Sequence, residues 1–330
     1  MIAAPSRKDR VVGCLVGLAV GDALGATLEF QRPGSFSPLT DMVGGGPFRL
    51  EAGQWTDDTS MALCLAESLL EKGNFDPRDQ MQRYLKWWRD GHLSCTGRCF
   101  DIGISTRGAL ASFEASGNPF SGSPDPHGAG NGCLMRLAPV PMFFLSEPER
   151  ALHYCVESSR TTHGATTCLD ASRYFGGLLV GAMLGESKKN LLSPRYTPPG
   201  CPVDWSSFSP EVVTVADGSF AENDPPEICG SGYVVKSLEA ALWAFAKSES
   251  FADGALLAVN LGDDADTTGA IFGQIAGAFY GISGVPEAWV SRLAMRDLIM
   301  EMAEGCFAAS TGHTFPDHML AELRPMNSDR

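Results

Sequence analysis

Residues 11–30 read VVGCLVGLAVGDALGATLEF. Gly13, Gly17, Gly21 and Gly25 recur every four residues, and only Asp22 and Glu29 are charged. The pattern predicts a helix over 9–30. A glycine inside a helix costs about 0.5–1 kcal/mol relative to alanine. A stripe of them therefore needs compensation, and close helix–helix approach supplies it. The same spacing returns at Gly177, Gly181 and Gly185, and again at Gly269, Gly273, Gly277 and Gly281. Together the stripes predict a central layer of tightly packed helices. Charges interrupt them, which argues against membrane GxxxG dimers. Asp22 and Glu29 need partners in such a setting, either a helix end or an arginine. Asp22 reads as structural. Glu29, seven residues on, shares its helix face and could reach a metal.

Outward from this stretch the periodic segments are also helical. Residues 59–72 (TSMALCLAESLLEK) carry apolar positions at helical spacing, with Gly73 placed as a C′ glycine. Asp76 and Pro77 read as the N-cap and first turn of a helix to Arg89. Further helices are expected over 105–115, 147–160, 166–185, 233–247, 250–261, 267–282 and 287–308, with Ser250 as a cap. Strand patterns are scarce, and Val212–Val215 is the best of them. The chain therefore reads as all-α, a single domain over 1–330. Its Gly-, Pro- and Ser-rich loops lie at 32–55, 116–132 and 186–231, the last a loop-rich insertion.

The 330 residues are 44% hydrophobic and 19% charged, which fits a folded protein and excludes a disordered one. Lys plus Arg is 25 and Asp plus Glu is 39, a net charge of −14. That excludes a broad nucleic-acid face, which needs basic surface. None of the 10 cysteines forms a CxxC pair, so a zinc knuckle or dithiol redox site is unsupported. Reduced cysteines in apolar helical runs suit the cytoplasm. Arg7, Lys8 and Arg10 before an apolar run give a superficial likeness to a signal peptide, but Asp22 ends that run. No apolar stretch has the length of a membrane span. The chain is expected to be a monomer.

Two motifs concentrate acids and hydroxyls at helix starts. One is Gln54-Trp-Thr-Asp-Asp-Thr-Ser60, the other Asn260-Leu-Gly-Asp-Asp-Ala-Asp-Thr-Thr268. Either alone would serve as a helix cap. Capping needs one acceptor, however, and crowded carboxylates repel unless a cation joins them. Two such clusters suggest one shared site for hard cations such as Mg²⁺ or Mn²⁺. Phe100-Asp-Ile-Gly103 adds another acid. The glycines of Gly128-Ala-Gly-Asn-Gly-Cys-Leu-Met-Arg136 either present amides to a phosphate or make a tight packed turn. No P-loop lysine is present. His163, in Thr161-Thr-His-Gly164, is by itself as easily a helix-end residue as a ligand.

Together these motifs resemble the ADP-ribosylglycohydrolase family. GLAVGDALGATLEF (17–30), GGG (44–46), GQWTDDTSM (53–61), DIG (101–103), GNGCLMR (130–136), TH (162–163) and NLGDDADTTGAIFGQIAGAFYG (260–281) stand in family order. They cover about Asp9 to Met300, and the likeness is nearest to the dinitrogenase-reductase-activating glycohydrolase branch. The resemblance implies an all-α ADP-ribosylglycohydrolase fold with long loops and a centre of two Mg²⁺ or Mn²⁺ ions. It implies Thr56, Asp57, Asp58, Asp264, Asp266 and Thr267 as metal ligands. Asp101 stands where the arginine-specific branch reads the guanidinium, and Glu29 where some members carry a mobile acidic ligand. These two are the catalytic candidates. Gly130, Asn131, Gly132, His163 and Tyr233 match positions lining the ADP-ribose pocket. Asp263 replaces a common glycine and is expected in a supporting or exposed position.

The implied activity is hydrolysis of an N-glycosidic ADP-ribose linkage, foremost on arginine of a protein. Serine, nucleic-acid or small guanidine linkages are the enzymatic alternatives. A non-catalytic ADP-ribose binder is the third, and the intact carboxylates speak against it.

Overall fold

Gly13, Gly17 and Gly21 face Gly277, Gly273 and Gly269 across a seam of bare backbone, and Gly25 faces Ala265. A Cβ added at any of the four would overlap a carbonyl of the opposite chain segment. The descending order of the partners makes the two helices antiparallel. This seam is the buried centre of the molecule.

The computed structural model describes residues 4–313, and every regular element within them is helical. The chain opens with α1 (Arg7–Gly25), α2 (Asp57–Lys72), α3 (Pro77–Asp90) and α4 (Ile104–Ser116). Short helices α5 (Gly132–Met135) and α6 (Pro139–Phe143) lead into α7 (Pro148–Thr162) and α8 (Thr166–Leu184). The insertion holds α9 (Lys188–Leu191), α10 (Pro210–Ala216) and α11 (Ser219–Glu222). The chain then forms α12 (Val234–Lys247), α13 (Phe251–Val259), α14 (Ala265–Tyr280), α15 (Glu287–Val290) and α16 (Arg296–Ser310). Around the α1–α14 seam, α8, α12 and α13 pack on α14, while α2 and α16 pack on α1. No helix among the described residues is long and apolar enough to cross a membrane.

The end signals behave as their chemistry requires. Gly73 closes α2 in a left-handed conformation at φ 64°. The Asp76 carboxylate accepts from the Arg78 and Asp79 amides, with Pro77 in the first turn of α3. Ser250 accepts from the Asp253 amide.

Several expectations fail, each for a tertiary reason. The first helix stops at Gly25, not Phe30, and Phe30 is left-handed at φ 61°. Its amide is instead taken by the Asp263 carbonyl, while Asp263 donates to the Gln31 carbonyl. Glu29 thus lies in a turn beyond α1 rather than on its face. Val212–Val215 is not a strand but the middle of α10, because Val212 and Val215 are buried at helical spacing. The helix expected over 287–308 is split, since the Ala294 amide donates to the Gly53 carbonyl. The Gly177–Gly181 stripe does not join the central layer. It receives Pro198 and Tyr196 from the insertion, and Gly185 is the C-cap of α8.

Candidate active site

The seam carries Asp22 of α1 into the start of α2. One carboxylate oxygen accepts from the Thr56 amide at 2.9 Å and the Thr56 hydroxyl at 3.0 Å. The other accepts from the Thr59 amide at 3.0 Å and the Thr59 hydroxyl at 2.6 Å. Asp22 is therefore the cap of α2, as its structural reading required. Thr56, the residue before the helix, makes no side-chain cap of its own. Asp57 and Asp58 are thereby released from capping.

The start of α14 is served in the same way from outside. Asp264 makes no side-chain cap, and Glu29 accepts the Ala265 amide at 3.1 Å. The Thr267 hydroxyl donates to Asp58 Oδ1 at 3.2 Å, tying the two helix starts together. Two positive helix ends thus converge on one group of acids. Asp58 Oδ2 is buried without a hydrogen-bond partner. An orphaned carboxylate oxygen beside other buried acids is the donor set a hard cation takes.

Glu29, Asp101 and Asp266 complete the cluster, each offering an oxygen within 4.8 Å of the others. Their arrangement joins three distant segments. Asp101 is left-handed at φ 58°, between α3 and α4. Burial first, then Asp57 and Asp266, pushes its carboxyl up to about 11. Burial and Asp266 also hold Glu29 far above the ordinary carboxylate range. Asp57 and Asp58 are raised by burial and by their acidic neighbours. Asp264 is pushed up to about 7 by burial and Asp266. Asp22 rises to about 7 from burial and Asp266, which outweigh its four hydrogen bonds. No lysine or arginine among the described residues forms an ion pair with these acids. Their mutual repulsion can be relieved by protons or by cations.

A cleft of about 500 Å³ opens over the cluster. Glu29, Asp57, Asp101, Asp264, Asp266 and Thr267 line one part of it, and Gly130, Asn131, Gly132 and His163 another. Asn131 donates to Asp264 Oδ2 at 2.9 Å and to the Ser237 hydroxyl at 2.8 Å. His163 packs against the glycines on either side, and its Cε1 would lie 2.7 Å from a Cβ at Gly132 and its Nε2 3.2 Å from one at Gly130. His163 is buried, and burial and then Arg136 lower it to about 3, so it is neutral. Phe30 and Ile104, 65% and 86% exposed, form an apolar rim that the motif reading missed. Ser105 and Thr106, which follow the Phe100–Gly103 motif, Met135 of the 128–136 motif, and Gly232 also line the cleft.

Three expected residues stand back from the lining. Thr56 and Asp58 lie beneath it, held by Asp22 and Thr267. Tyr233 is bridged to Gly130 by backbone and turns its hydroxyl to Glu211 of the insertion. Only its neighbour Gly232 reaches the cleft. A larger cavity of about 810 Å³ lies beside Trp243, Leu256 and Leu257. Its wall is mostly apolar and holds no cluster of acids, so size does not identify the site.

Comparison with known proteins accounts for this combination. The sequence profile of the ADP-ribosylglycohydrolase family matches residues 3–315. The chain belongs to the ADP-ribosylglycohydrolase family. It is thus a hydrolase acting on glycosidic ADP-ribose linkages. The ADP-ribosylarginine hydrolase Tri1 of Pseudomonas putida is 42% identical, over 91% of this chain and 78% of its own. The ADP-ribosyl-[dinitrogen reductase] glycohydrolase of Rhodospirillum rubrum is 32% identical, over 88% and 92%. A solved structure described as an ADP-ribosylglycohydrolase-related protein complex superposes with a TM-score of 0.82 at 44% identity. The match covers 92% of this chain and 99% of that one.

Proposed function

We propose that this ADP-ribosylglycohydrolase removes ADP-ribose from arginine side chains of proteins, with two Mg²⁺ or Mn²⁺ ions as cofactors. The observation that carries the reading is the meeting of both acidic motifs, Asp101 and the Gly130–Gly132 turn in one cleft. Relatives named as arginine hydrolases support the arginine linkage. Thr56, Asp57, Asp58, Asp264, Asp266 and Thr267 would hold the ions, and the orphaned oxygen of Asp58 fits that role. When bound, the ions supply charge neutralisation and a template for the ribose hydroxyls.

The remaining work falls to the chain. Asp101 faces the guanidino group and exchanges a proton with the leaving nitrogen. Water adds to C1″ of the ribose as the C1″–N bond breaks, and the proton released from water balances the one taken by nitrogen. Glu29 holds the Ala265 amide and keeps the start of α14 in register with Asp101. His163, Asn131 and the glycines bind the ADP-ribose body. Tyr233 would need to leave Glu211 to take part. A single domain over 1–330, acting as a cytoplasmic monomer on an ADP-ribosylated protein, completes the proposal.

The test is release of ADP-ribose from arginine-, serine- and nucleic-acid-linked substrates, with Mn²⁺, Mg²⁺ or EDTA. Release from arginine alone, abolished by EDTA, is expected. Asp57→Ala is expected to lower it by more than about a hundredfold while leaving the circular dichroism spectrum unchanged. Full activity in EDTA would remove the metal reading, and release from serine alone would move the linkage.

A further inference from the structure

Three side chains behind the cleft form a one-way relay. Arg136, fully buried on the C-terminal side of α5, donates from Nη2 to the Thr162 hydroxyl at 2.5 Å. It donates from Nη1 to the Gly132 carbonyl and lies 5.1 Å over the Tyr84 ring. The Thr162 hydroxyl in turn stands 2.8 Å from His163 Nδ1. No other acceptor among the described residues lies within reach of the Thr162 proton.

Donor arithmetic settles the direction. Arginine can only donate, so Thr162 Oγ1 accepts from it. The threonine has one proton left, and His163 Nδ1 is the acceptor available. If Nδ1 carried the proton instead, the buried Thr162 hydroxyl would have nowhere to donate, and a buried donor without a partner is costly. A neutral imidazole has a single N–H, so that proton sits on Nε2. His163 lines the cleft, and Nε2 has no hydrogen-bond partner among the described residues.

We infer that Arg136 and Thr162 are positioning residues that lock His163 in the Nε2–H tautomer. The imidazole then presents a fixed, uncharged donor to an acceptor oxygen of the bound ADP-ribose. The oxygen comes either from a phosphate or from a ribose hydroxyl. The second half of this inference rests on the proposed function; the tautomer does not. Arg136 adds a further constraint, because its hold on Gly132 keeps the turn and the imidazole in one rigid unit. The burial of Arg136 supports the same state, since a cation there disfavours a second proton on the ring.

The experiment is a long-range ¹H–¹⁵N spectrum of the histidine-labelled chain, with ADP-ribose affinity measured beside it. His163 is expected to show protonated Nε2 and bare Nδ1 throughout pH 6 to 8. Thr162→Val removes the acceptor and donor together. It is expected to mix the tautomers and to weaken ADP-ribose binding about tenfold, as for one hydrogen bond. Thr162→Ser is expected to restore both, which a purely structural role of the methyl group would not. A proton on Nδ1 in the unmodified chain overturns the relay, whether or not Thr162→Val folds. A tautomer that stays locked in Thr162→Val overturns the role of Thr162, and mixed tautomers with unaltered affinity overturn the substrate contact. Failure of the chain to hydrolyse arginine-linked ADP-ribose would overturn the proposed function and leave the spectrum as the judge of the relay. Following the His163 Nε2–H signal while adding ribose or inorganic diphosphate separately identifies which oxygen Nε2 meets.

Discussion

Two glycine-striped regions of this molecule look alike in sequence and behave differently in space. In α1 and α14 the glycines of one helix meet the backbone of the other, so the two main chains touch. In α8 the stripe at Gly177 and Gly181 receives side chains, Pro198 and Tyr196, from the insertion. The first arrangement has no give, because a carbonyl cannot rotate away from an added methyl. The second ends on loop atoms that can shift. The rigid seam also does chemical work at its end. It delivers Asp22 to the start of α2, and the turn beyond α1 delivers Glu29 to the start of α14. A stripe that only packs has no such consequence.

This contrast breaks first at Gly21. Its added Cβ would overlap the Gly269 carbonyl, so Gly21→Ala is expected to destabilise by about 3 kcal/mol or more. Hydrolysis should be lost with the fold, because Asp22 is the next residue. Denaturant unfolding of the variant measures this, and wild-type stability would show that the seam is looser than the close approach implies.

The middle effect concerns the acids at the end of the seam. Asp22 and Asp264 are held near 7, above the ordinary unfolded value of about 3.9. The unfolded chain therefore gives up its protons at lower pH than the folded one. The contribution of these two acids to stability is full below about pH 4 and is lost as pH rises through about 7. In EDTA the thermal midpoint is expected to fall between pH 5 and pH 8. Mn²⁺ or Mg²⁺ should flatten that slope by neutralising the carboxylates. A flat profile in EDTA would mean that these acids are already relieved by something other than protons.

The smallest effect belongs to α8. A Cβ at Gly177 would sit 3.2 Å from Pro198 Cδ, a contact that a few tenths of an ångström relieve. Helix propensity gained by alanine offsets that strain. Gly177→Ala is expected to change stability by no more than about 0.5 kcal/mol and to leave turnover unaltered. A loss comparable to that at Gly21 would make the two stripes equivalent after all.

Much of this was legible beforehand. The helical class followed from periodicity, and the caps at Gly73, Asp76 and Ser250 followed from local chemistry that needs no distant partner. The excess of acids in the two motifs over what a cap can use pointed to a shared site. Illegible were the ends decided by distant backbone. Phe30 and Asp263 exchange hydrogen bonds with each other's neighbourhood, and this stops α1 at Gly25. Val212–Val215 looks like a strand because β-branched residues favour strands, yet burial of its Val212 and Val215 makes it helical. Arg136 closes the 130–136 motif, but its part in the site was illegible, since Thr162 becomes its neighbour only through folding.

The sequence by itself determined which residues had chemistry to offer: carboxylates too crowded for capping, glycines too frequent for an isolated helix, a histidine with no local task. These are properties of residue type and spacing. Tertiary structure alone decided which carboxylate caps and which stays free, which glycine stripe meets backbone, and which imidazole nitrogen faces the cleft. Each of those choices depends on where a partner atom lies several ångströms away and, for Glu29 and the Ala265 amide, 236 positions along the chain. Hydrogen bonds and van der Waals contacts act only at that range, so only the packed chain can assign them.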